Sequence, residues 1–141
     1  MKRVTFILLL AVVGCASMRP LDISKRTRLY AANYKTVFKA VMAYCQDRSI
    51  PVLTADKELG LINTDWVGNG GFLFKNRLKI NFSLKDQGDT TKVVLTITTQ
   101  QQRLNGIGAD ASVGAYEDSG MTESEATDLY AKVFDGIQKQ I

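Results

Sequence analysis

From Phe72 to Lys85 the chain alternates almost without a break. Phe72, Phe74, Leu78, Ile80, Phe82 and Leu84 take the even positions, against Lys75, Arg77, Lys79, Asn81, Ser83 and Lys85 at the odd ones. Successive side chains of a strand point to opposite faces, so this pattern is stable only as a strand with one face on a core and the other in water. It excludes an all-helical fold. It also excludes a sheet buried on both sides, whose strands read as continuous apolar runs. The rest of the chain must therefore supply one covering layer and further strands.

Thr90 to Gln102 (TTKVVLTITTQQQ) continues the theme, with Val93, Leu95 and Ile97 on one face, and Asp86-Gln87-Gly88-Asp89 is the turn between the two strands. Upstream, Ile50 to Ala55 reads as a short strand and Asp56-Lys57-Glu58-Leu59-Gly60 as a tight turn. Leu61 to Val67 then reads as a strand with Ile62 and Trp66 on one face, and Gly68-Asn69-Gly70-Gly71 as a hairpin loop. Arg26 to Ala32 reads as a first strand. Trp66 is expected to be a packing residue of the core or sheet edge.

The covering layer comes from two amphipathic segments. Tyr34 to Arg48 places Val37, Phe38, Val41, Met42, Tyr44 and Cys45 at three- and four-residue spacing behind Asn33 as N-cap. Near the C-terminus, Thr122-Glu123-Ser124-Glu125 has the spacing of a capping box and opens a helix with Ala126, Leu129, Tyr130, Val133, Phe134, Ile137 and Ile141 on one stripe. Between the last strand and this helix, Arg103 to Gly120 shows no period and contains four glycines, so it reads as a long mobile or functional loop. The expected order is β-α-β-β-β-β-α. This is an α+β two-layer sandwich, with an antiparallel sheet of four to five strands and two helices on one face.

The 141 residues suffice for one domain, and they contain no histidine. That absence removes the commonest general base, the commonest metal ligand and every Ser-His or Cys-His arrangement. It points away from an enzyme.

The first residues carry a different kind of signal. Lys2 and Arg3 precede an apolar run from Val4 to Val13, too short to span a bilayer but suited to the h-region of a signal peptide. The run ends in Val12-Val13-Gly14-Cys15, which resembles the bacterial lipobox. The resemblance implies cleavage before Cys15 and acylation of that residue, with Ala16 in the next position implying the outer membrane. The expected organisation is a lipoprotein signal peptide over 1–14, a lipidated tether over 15–25 and a single α+β domain over 26–141. Removing Lys2 and Arg3 halves the formal charge from +4. With Cys15 acylated, Cys45 has no intramolecular disulfide partner, and its place on an apolar helix face reads as a buried, inert thiol.

A further resemblance rests on Ala32-Asn33-Tyr34-Lys35-Thr36-Val37-Phe38-Lys39-Ala40-Val41, on Asp56-Lys57-Glu58-Leu59-Gly60-Leu61-Ile62-Asn63-Thr64-Asp65-Trp66, and on the closing helix. Together they resemble the helix-grip domains of bacterial envelope lipoproteins, of the BamC type associated with outer-membrane β-barrel assembly. The resemblance implies a helix-grip-like fold and a non-enzymatic role in the envelope.

Other constellations carry less. Asp110, Glu117, Asp118, Glu123, Glu125 and Asp128 cluster in a stretch without Lys or Arg, but their spacing does not match an EF-hand, so no metal site is expected. Arg19, Lys25, Arg26, Arg28, Lys35 and Lys39 make a basic start next to the anchor, either solvated or resting on anionic headgroups. Lys75, Arg77, Lys79 and Lys85 line one strand face, yet the phenylalanines of that strand fall on the other parity, so no nucleic-acid partner is expected. No cofactor is expected either, because Gly106-Ile107-Gly108 lacks both the third glycine and the βαβ context of a dinucleotide site.

The function expected from sequence is a membrane-anchored periplasmic lipoprotein, held by its N-terminal acyl chains and facing the periplasm from the outer membrane. It serves there as a non-catalytic binding or scaffold module with an envelope protein partner. The alternative is a carrier or sensor of a small apolar ligand held between sheet and helices. Binding is expected at the exposed sheet face, the Gly68–Gly71 hairpin or the 103–120 loop.

Overall fold

The computed structural model describes residues 21–70, 74–105 and 112–141. Within them the order is β1 (Thr27–Tyr30), α1 (Tyr34–Asp47), β2 (Val52–Asp56), β3 (Leu61–Thr64), β4 (Val67–Gly70), β5 (Phe74–Asp86), β6 (Thr91–Asn105), β7 (Ser112–Asp118) and α2 (Glu123–Gln138). The strands form one antiparallel sheet in the order β1-β6-β5-β3-β2, with β4 also on β5 and β7 also on β6. The chain is α+β, an open sheet with two helices. It has seven described strands where the sequence pattern indicated four to five.

The extra strands come from segments without a clear period. β5 and β6, of 13 and 15 residues, run past the part of the sheet that the helices cover. Their far ends offer unpaired backbone groups, and β4 and β7 satisfy them. Gly68 therefore lies opposite Arg77 in a strand instead of in a hairpin loop. Likewise the expected 103–120 loop contains the end of β6 and all of β7, with Gln100 opposite Asp118 and Gln102 opposite Tyr116. Strand formation there follows the neighbour's hydrogen bonding more than local propensity.

The helices form as their sequences dictate. Asn33 accepts the Thr36 N–H at 2.9 Å, and α1 ends where Ser49 enters the left-handed region at φ 53° and Ile50 N–H returns to Cys45 O at 2.8 Å. Thr122 and Glu125 close the expected capping box on α2. Between them, Gly60 occupies φ +69° with its α-carbon so near Leu84 that an added Cβ would stand 2.1 Å from the carbonyl oxygen. Asp56 holds that turn by accepting the Glu58 and Leu59 amides, and the Tyr34 hydroxyl donates to Lys57 O.

Both helices cover one face of the sheet. Ile62, Ile80, Phe82, Leu84, Val93 and Leu95 project there and join Val37, Val41, Cys45, Val133, Phe134 and Ile137 in a single buried cluster. Tyr30 donates to Phe134 O at 2.9 Å, fixing α2 over β1. The edge of β6 is open between β1 and β7, and the Tyr130 hydroxyl fills that gap by accepting the Ile97 N–H at 2.9 Å.

Candidate binding surface

The register of β5 and β6 sends their other parity to the face that neither helix covers. Asn81 lies opposite Thr96, Lys79 opposite Thr98 and Arg77 opposite Gln100. At the end nearer β1, Ser83 lies opposite Val94 and Lys85 directly opposite Lys92. β1 and β3 extend the same face on either side, with Leu29 opposite Lys92 and Leu61 opposite Ser83. Leu29 is 59% exposed and Leu61 38%. Among the described residues the ion pairs are Lys25–Glu123 and Arg28–Asp135, so Lys79, Lys85 and Lys92 have no carboxylate partner there.

The far end of this face is organised around Arg77. Its guanidinium carbon lies 3.6 Å from the Tyr116 ring centroid and 4.5 Å from that of Trp66, and its Nε and Nη2 donate to Gln100 Oε1 at 2.9 and 2.6 Å. Gln100 in turn donates to Asp118 at 3.0 Å. Each cation–aromatic contact contributes about 0.5–1 kcal/mol at a partly exposed site. The stack joins β5, β6, β7 and the link between β3 and β4, next to the Val67–Leu78 pair that packs partly on the core.

Trp66 arrives there through a bulge. Asn63 pairs with Asn81 and Val67 with Leu78, so four steps along β3 and β4 match three along β5. The extra residue reverses the parity. Ile62 and Thr64 are buried beneath the helices, whereas Trp66 turns to the opposite face, which corrects the expectation that Ile62 and Trp66 share one side. Thr64, fully buried, spans the irregularity by donating to Ile80 O at 2.8 Å and accepting Ile80 N–H at 3.1 Å.

The other residues singled out from sequence are dispersed. Cys15, the whole 1–14 segment, Arg19, Asp110 and the rest of 106–111 lie outside the described residues, as do Gly71 and Phe72. Cys45 is buried at 1% exposure, and burial pushes its thiol up to about 11, so it is no nucleophile at neutral pH. The described acids form no cluster that could hold a metal ion. Glu123 pairs with Lys25, and Glu125 bonds its own cap residue Thr122, with both carboxyls held below their usual range first by those hydrogen bonds. Of the basic start, Lys25 and Arg28 are tied to α2, and Arg28 also lies 4.9 Å over the Phe134 ring.

On the helix side, a recess of about 480 Å³ lies beyond the first turn of α2, lined by Val67, Leu78, Met121 and Leu129 with Gln101 and Glu125. A second of about 520 Å³ runs along α1 beside Phe38, Met42, Ile50 and Val52. Sequence reasoning missed the Trp66–Arg77–Tyr116 stack. Tyr116 is far from the others in the chain and sits in a stretch with no period, so nothing local announced it.

No family model matches this chain, and no curated protein matches it either. No helix among the described residues is long and apolar enough to cross a membrane.

Proposed function

We propose that the chain is an exported lipoprotein of the bacterial cell envelope, acylated at Cys15 and anchored in the outer membrane facing the periplasm. It acts there as a non-catalytic binding or scaffold module in envelope assembly or maintenance, in the manner of the helix-grip domains it resembles. The observation that carries the binding half of this reading is the one-sided covering of the sheet. Both helices lie on one face, and the other presents lysines with no carboxylate partner among the described residues, beside a stacked Arg77. Binding sites are commonly built from groups held rigid by such a scaffold.

The anchoring half rests on Val13-Gly14-Cys15 at the end of a short apolar run. Two or three acyl chains hold far more firmly than one, since each buried methylene contributes about 0.8 kcal/mol. The non-catalytic reading is supported by the chain's lack of histidine and by a thiol locked in the core. A carrier role would need a ligand between sheet and helices, where Phe82, Leu95, Val41 and Phe134 already meet.

Intact mass spectrometry of the protein from a Gram-negative host tests the anchor. The expected product begins at Cys15 and carries the mass of a diacylglycerol and an amide-linked chain. A product retaining Met1 with a free Cys15 thiol overturns it. Crosslinking in intact cells then reads the partner, and recovery of the protein without any crosslinked envelope component would defeat the scaffold role.

A further inference from the structure

We propose that the helix-free face of the sheet, centred on Lys79, Lys85 and Lys92 and flanked by Leu29 and Leu61, docks on an anionic phospholipid bilayer. The first ground is charge. Lys85 and Lys92 are a direct cross-strand pair, and like charges in that relation repel and destabilise the strand pairing. Neither has a carboxylate partner among the described residues, nor does Lys79 on the same face. Of the acids around this pair, Asp86, opposite Thr91, accepts the Gly88 amide, and Asp56, opposite Leu61, accepts the Glu58 and Leu59 amides. A layer of phosphates against this face neutralises the repulsion.

The second ground separates a bilayer from other polyanions. Leu29 and Leu61 flank the lysines on neighbouring strands and are exposed, Leu29 more than Leu61, and a soluble polyanion offers them nothing. A headgroup layer with acyl chains beneath it satisfies both kinds of side chain, since lysines reach phosphates while leucines enter the boundary. The small neutral residues Ser83, Thr96 and Thr98 share this face with the lysines. The inference deepens the anchored reading and rests on it for a bilayer within reach. The chain from Cys15 to Arg26 spans at most about 40 Å when extended.

The test uses the mature chain from position 15 with Cys15→Ser, so that neither the apolar leader nor an acyl chain contributes, and vesicles of phosphatidylcholine with or without phosphatidylglycerol. The variant K79E/K85E/K92E should lower partition onto the anionic vesicles about a hundred-fold, at a few-fold per lysine, and leave partition onto neutral vesicles unchanged. The variant K35E/K39E/K132E, with the same charge change on the helices, should have a far smaller effect. Equal losses in the two variants, or no loss in the first, overturn the proposal.

Leu29→Ser with Leu61→Ser should weaken vesicle binding several-fold and leave binding to dextran sulfate unchanged. Undiminished vesicle binding would show a surface that reads charge alone, and bilayer docking would fail. Lys85→Glu by itself turns the repelling pair into an attracting one, so its melting temperature should rise while anionic partition falls. That result separates lost docking from lost folding. Neither readout depends on acylation, so failure of the anchor, seen as an unmodified Cys15, is distinguishable from failure of the docking face.

Discussion

Several residues of this protein act through what burial does to their chemistry. Cys45 belongs to α1 and is buried in the core cluster, and its thiol is raised from an ordinary 9.0 to about 11 because the thiolate would be desolvated. Tyr30 and Tyr44 are raised for the same first reason. The consequence for stability follows from proton linkage. Above pH 9 an unfolded chain releases the Cys45 proton while the folded chain keeps it, so the unfolded state is favoured as pH rises. Stability from this group is fully present below pH 9 and is lost towards pH 11, by on the order of 2 kcal/mol. Urea unfolding between pH 7 and 10.5 should show that decline, and Cys45→Ala should flatten it, leaving the shallower slope of the tyrosines. A decline of equal steepness in the alanine variant would contradict this account. The acidic side is governed by exposed groups. The Glu125 carboxyl is held low by Thr122, so the capping box contributes above the usual carboxylate range and weakens as pH falls through it.

At the scale of elements, the contact between the helices depends on one missing side chain. Gly136 is buried in α2, and a Cβ built there would stand 2.3 Å from Tyr44 Cε2 and 2.8 Å from Cδ2 in α1. The tyrosine ring lies flush on the α2 backbone. Alanine is the better helix former by about 1 kcal/mol, but the clash forces the ring or the helix to move, which costs about 1–3 kcal/mol in a packed core. Gly136→Ala should therefore destabilise the protein despite its helical location. In a Tyr44→Leu background the same substitution should become neutral or stabilising, and a double-mutant cycle by thermal denaturation reads that coupling. An additive cycle would place the cost of the substitution elsewhere. The strand elements are held differently. Thr64 and Tyr130 use hydroxyls to satisfy backbone groups at two places where the ladder is interrupted, beside the bulge and at the open edge of β6.

At the scale of the whole molecule the sheet has two unlike halves. Among the residues whose burial is described, the fully buried strand residues lie on β1, β3 and the stretches of β5 and β6 beneath the helices, and Val67 of β4 and Leu78 of β5 are only partly buried against the same core. Beyond the partly buried Val67–Leu78 pair, the far half is held by backbone pairing and by the Arg77 stack. Local stability follows buried apolar contact, so the far half should open first. Trp66 is the only tryptophan and sits in that stack, which makes its fluorescence a reporter. In a urea titration its midpoint should fall below that of far-UV circular dichroism, and coincident midpoints would show that the sheet unfolds as one unit.

The same division separates what could be read in the chain from what could not. Alternation in Phe72–Lys85 and Thr90–Gln102 and the apolar stripes of the two helices determined a one-sided sheet with helices on its apolar face. Each of those signals is periodic, local and backed by burial. The caps of both helices were legible for a similar reason, because a cap is a bond between residues three apart. The far half was not legible. Gly68, Gly70, Leu104–Asn105 and Ser112–Asp118 carry no apolar period in the sequence and became strands because long neighbours left backbone groups to be paired. The bulge that turns Trp66 away from Ile62 is a mismatch between two strands, invisible in either alone. Tertiary structure therefore decided which residues share the helix-free face. Sequence by itself determined only that such a face exists, because periodicity records burial and not which distant strand completes a surface.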